Sequence, residues 1–112
     1  MENEKWKEAG IYYEEGLQYM NGNEQFYRKY LKKFLQDQTF EKLDASIERE
    51  DWEEARACLH TLKGISATLG MRDLSEHCRS EEEKLKSGAT RVFKELIDND
   101  YLSIVAFLKT LE

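Results

Sequence analysis

The chain has 112 residues, of which 40 % are apolar, 36 % charged and 12 % aromatic, and it carries a formal net charge of −6. That supports one domain over residues 1–112 with a modest core, and it excludes a disordered chain, which lacks such an aromatic content. The acidic balance, with a pI of about 5.1, argues against nucleic acid and anionic lipid as partners, because both demand clustered Lys and Arg.

The absence of proline and the abundance of Glu, Lys, Leu and Ala point to an all-α fold. The chain begins MENEKWKEAG, which lacks the apolar stretch of a signal peptide. Residues 1–10 are expected to fray apart from Trp6. Ile11, Tyr12, Leu17 and Met20 suggest a short helix that ends at the turn signal Asn21-Gly22-Asn23. Tyr27, Tyr30, Leu31, Phe34 and Leu35 repeat at helical spacing, and Phe40, Leu43 and Ile47 do so again until Glu48-Arg49-Glu50.

Asp51 reads as an N-cap with Glu54 three residues on, a variant of the capping box. The helix it opens carries the seam Trp52, Ala55, Leu59, Leu62, Ser66 and Leu69, and Gly70 takes the position that closes a helix. A further helix is expected over Arg72–Lys86, with Leu74, Cys78 and Leu85 inward and Ser87-Gly88 closing it. The last segment places Val92, Phe93, Leu96, Ile97, Tyr101, Ile104, Val105 and Leu108 on one face, with Asp98-Asn99-Asp100 as a candidate interruption. Short connections predict an up-down antiparallel four-helix bundle over about residues 38–112, with one or two additional N-terminal helices packed at one end.

The helix from Asp51 to Leu69 holds the chemistry. At about 100° per residue, His60 stands roughly 130° from the seam and points to water. Its neighbours on that outer side are Ala57, Gly64 and Ala67. Such a bare face is unusual in a charged protein, since a mid-helix Gly costs roughly 1 kcal/mol relative to Ala. It leaves room for another macromolecule to approach the imidazole. Arg56 at i−4 and Lys63 at i+3 sit toward one side of His60, within reach of an anion held on the ring. A neutral imidazole nitrogen is a competent nucleophile near neutral pH.

Other signals are weaker. Cys58, His60, His77 and Cys78 invite a zinc site, but Cys58 and His60 are about 200° apart on their helix and share no ligand face. The cysteines read as small apolar groups, and free thiols fit a reducing cytosol. Glu81, Glu82 and Glu83 read as a solvated face. Ile11, Tyr12, Tyr13, Leu17 and Met20 read as an apolar rim that either packs on the bundle end or borders the active face. No Gly-rich phosphate loop is present, and no run of about 18 apolar residues could span a membrane.

Residues 59–70, LHTLKGISATLG, resemble the signature of histidine-containing phosphotransfer (HPt) domains, matching at His60, Leu62, Lys63, Gly64, Ser66, Leu69 and Gly70. GIYYEEGL, FYRKYLKKF and DWEEAR also look like bacterial members, and the resemblance covers about residues 10–87. It departs at Glu81, where the family usually has an apolar residue, and at Gln18 and Met20. The resemblance implies that His60 takes a phosphoryl group from a receiver-domain aspartyl phosphate and passes it to another receiver. Lys63 would steady the phosphoryl oxygens. Arg56, Ala57, Gly64, Ala67, Ile11 and Tyr12 would border the docking surface. The chain would need no cofactor of its own, because the receiver would carry the Mg²⁺. Partners would be response-regulator receivers and a hybrid histidine kinase, and the chain would act as a cytoplasmic monomer without kinase activity. The rival expectations are a helical adaptor without chemistry and a small metal-dependent enzyme.

Overall fold

The computed structural model describes residues 2–112. Its regular elements are all helical: α1 Glu2–Ala9, α2 Tyr13–Tyr19, α3 Glu24–Gln36, α4 Thr39–Glu48, α5 Trp52–Thr68, α6 Arg72–Lys86 and α7 Glu95–Thr110. Each of α4 to α7 packs on its neighbour in the chain, while α1 and α3 both lean on α7 and α2 touches α5.

The first residues depart from the expected fraying. Trp6 on α1 is buried, with its ring 4.8 Å from Tyr13 and 5.0 Å from Phe107. Burying an indole offsets the conformational entropy that would otherwise leave so polar a segment loose.

Helix starts follow side-chain chemistry. Asn23 accepts the Phe26 N–H at 3.0 Å, and Asp51 accepts the Glu54 N–H at 3.1 Å. The reciprocal half of the capping box is not made: the Asp51 N–H goes to the Ser46 carbonyl, and Glu54 accepts from the Cys58 thiol. Helix α5 ends as expected. Gly70 takes φ +79°, its N–H bonds the Ala67 carbonyl, and the Met71 N–H bonds the Ser66 carbonyl at 2.8 Å. This pair of bonds is the Schellman closure. A Cβ at Gly70 would run into the Tyr12 carbonyl, so the glycine also admits the α1–α2 junction.

The core is one cluster that includes Trp6, Ile11, Tyr27, Leu43, Leu59 and Ile104. Tyr101 of α7 stacks on Phe40 of α4 at 3.8 Å between ring centres, which draws those two helices together. The last segment differs from expectation at its start. Residues 91–94 are not helical, and Phe93 and Leu96 are exposed. The buried face of α7 is Ile97, Tyr101, Ile104 and Leu108. Asp98-Asn99-Asp100 does not interrupt it: Asp98 pairs with Lys94 at 2.8 Å, and Asp100 bonds His77 of α6.

Candidate functional site

Helix α5 presents His60 to solvent, its side chain 65 % exposed. Behind it stands Glu82 of α6, which is fully buried. His60 Nδ1 lies 2.9 Å from Glu82 Oε2, and Lys63 Nζ lies 2.9 Å from Oε1 as an ion pair. Lys86, one turn along α6, places Nζ 3.5 Å from Oε2. A buried carboxylate is tolerated only when compensated, and these three groups supply the compensation. Burial pushes the Glu82 carboxyl up, but hydrogen bonds from Lys63 and His60, with the charges of Lys63 and Lys86, outweigh it and hold the group below its ordinary value.

An ionised Glu82 accepts only, so the neutral imidazole carries its proton on Nδ1 and donates it there. The lone pair is then on Nε2, on the exposed side of the ring. The carboxylate thereby sets the tautomer and turns the other nitrogen outward.

Glu82 corrects the reading of residues 81–83 as a solvated run. Glu81 is buried too, accepting the Phe93 N–H at 2.9 Å and pairing with Lys84. Glu83 alone is exposed. A signal was present: Glu82 stands four residues after Cys78 and eight after Leu74, on the inward face of α6.

The other expected site residues divide. Ala57 and Gly64 are exposed, while Arg56 and Ala67 are half-buried, all on α5 around His60. A Cβ at Gly64 would meet nothing within 4 Å, so the packing of this chain does not require glycine there. Ile11 is a correction: it is fully buried in the core and borders no surface. Tyr12 is half-buried; its N–H bonds the Gly70 carbonyl, and Arg72 lies 3.8 Å over its ring. Gly70 is ten residues past His60, roughly 15 Å along the helix, so Tyr12 is not brought to the imidazole. Instead Tyr19, Met20, Tyr30, Phe34, Ile65 and Thr68 line an open groove of about 560 Å³ that begins at Gly64. Of these, Tyr19 and Tyr30 are well exposed.

The four candidate metal ligands face different partners. Cys58 bonds Glu54, His60 bonds Glu82 and His77 bonds Asp100. Cys78 is buried, and that burial pushes its thiol up to about 12.

Residues 29–112 match the family described as the Hpt domain. The chain belongs to the Hpt family. The match runs through α7, which motif resemblance alone did not cover, and it begins inside α3, leaving GIYYEEGL outside. No curated protein and no solved structure matches the chain significantly. Hpt domains are helical phosphocarrier modules of two-component signalling rather than kinases, and they interact with receiver and kinase domains. No helix among the described residues is long and apolar enough to cross a membrane.

Proposed function

We propose that this Hpt domain is a phosphorelay intermediate in which His60 Nε2 accepts a phosphoryl group from the aspartyl phosphate of one receiver domain and returns it to another. The observation that carries this reading is the exposed imidazole held through Nδ1 by a buried carboxylate. As Nε2 attacks phosphorus, the P–O bond to the aspartyl carboxylate breaks and the carboxylate leaves with the electron pair. The Nδ1 proton stays in place and the ring becomes cationic. Glu82 opposite Nδ1 favours that charge. Lys63 steadies the phosphoryl oxygens, and Arg56 adds a second cation one turn away.

Positioning and charge account for most phosphoryl-transfer catalysis. The receiver supplies the Mg²⁺ and the acidic pocket, and this chain supplies nucleophile, cation and access. Ala57, Gly64 and Ala67 keep the approach open, and the groove beside Gly64 gives an apolar surface for docking. This reading treats residues 1–112 as one domain, α4 to α7 as an up-down bundle, and the chain as a cytoplasmic monomer.

The test is transfer from a phosphorylated receiver of the same organism. Wild-type protein gains an acid-labile, base-stable label, and His60→Gln gains none. Label that persists in His60→Gln moves the site elsewhere, and no label on wild type from any such receiver refutes the reading. Gly64→Arg blocks receiver docking while leaving the helix content intact; normal transfer by that variant contradicts the landing surface.

A further inference from the structure

In the resting chain Lys63 is committed to Glu82 at 2.9 Å. To steady a phosphoryl group on Nε2 it must leave a carboxylate that has no access to water. Stripping a buried charge of its partner is strongly unfavourable. Lys86 changes that balance. Its Nζ lies 3.5 Å from Oε2, the same oxygen that holds His60, and its side chain is 47 % exposed. Among the described residues Glu82 is the one carboxylate within ion-pair distance of Lys86.

We propose that Lys86 is a positioning residue for phosphoryl transfer: it keeps Glu82 compensated while Lys63 turns to the phosphoryl oxygens. The proposal rests on His60 as acceptor. When the N–P bond forms and the donor's P–O bond breaks, the ring keeps its Nδ1 proton and gains positive charge. Glu82 then faces an imidazolium. Lys63 is repelled by that cation and drawn to the phosphoryl oxygens. Lys86 remains on the carboxylate, so the exchange of partners never leaves Glu82 bare.

The test is a double-mutant cycle on the full chain, with phosphoramidate as donor, so that ammonia leaves and no receiver is involved. The readout is the initial rate of label at His60. Lys86→Gln slows labelling about threefold or more, because Lys63 is then the sole lysine on Glu82. Lys63→Gln slows it further, and Lys63→Gln/Lys86→Gln is no slower than Lys63→Gln alone. Lys86→Arg restores the wild-type rate. An unchanged rate in Lys86→Gln, multiplicative losses in the double variant, or failure of Lys86→Arg to restore the rate each overturn the proposal while leaving His60 as acceptor. Wild-type protein that takes no label at His60 overturns the acceptor reading and this proposal together.

Discussion

At the scale of single residues, the site turns on a carboxylate rather than on the histidine alone. An exposed imidazole has two tautomers and free rotation; Glu82 removes both freedoms through one contact at 2.9 Å. Glu82→Ala therefore leaves the proton and ring orientation unset. We predict that this variant folds but accepts phosphoryl at least about tenfold more slowly, in line with the loss of an outer partner that orients a reactive histidine; receiver-dependent labelling with circular dichroism as control measures it. Glu82→Gln, which retains an acceptor oxygen, falls between. The same group sets an acid limit. Its folded value lies below the ordinary 4.5, so its contribution to stability is complete above the unfolded value and is lost as pH falls through the folded one. Thermal unfolding at pH 7 and pH 3 checks this: wild type loses more Tm across that interval than Glu82→Gln does.

At the scale of elements, α5 is set by what happens at its two ends. Its start follows a left-handed residue, Glu50 at φ +58°, after which the Asp51 N–H returns to the Ser46 carbonyl at 2.8 Å. Glycine occupies such positions with less strain than other residues. Glu50→Gly is expected to stabilise by about 0.5–1 kcal/mol, seen as a Tm raised by a few degrees with transfer unchanged. Helix α2 is set by a close approach. A Cβ at Gly16 would overlap the Tyr27 ring, whose hydroxyl donates to the Leu69 carbonyl at 2.7 Å. Gly16→Ala is expected to cost about 1–3 kcal/mol through overpacking, measured by denaturant unfolding.

At the scale of the whole molecule, the segment outside the family match belongs to the core. Trp6 and Ile11 are buried in the core cluster, Trp6 against Phe107 of α7, although the matched region begins only at residue 29. Ser103 of α7 also donates to the Ala9 carbonyl at 3.1 Å. Trp6→Ala removes an indole from this cluster and is expected to cost about 3–5 kcal/mol. Equilibrium unfolding followed by circular dichroism reads that loss. A change below about 1 kcal/mol would contradict a core role for α1.

Much of this was legible along the chain because helices leave local marks. Asp51 and Gly70 bracket α5 through bonds that span three to five residues, and the seam of Leu59, Leu62 and Ser66 repeats at a period the backbone imposes. His60 on the bare outer face follows from the same period. What lay beyond local reading was partnership across helices. Glu82 looks like solvent-facing charge until α5 lies against α6 and brings His60 and Lys63 to it, and Glu81 looks so until the Phe93 N–H of the segment before α7 reaches it; a buried carboxylate is acceptable only where such partners compensate it. Ile11 looked like a rim residue along the chain, but the fold draws it fully into the core cluster. The exposed histidine was thus legible in the sequence alone, while tertiary structure decided which of its nitrogens faces out, since the group that orients it lies 22 residues away on another helix.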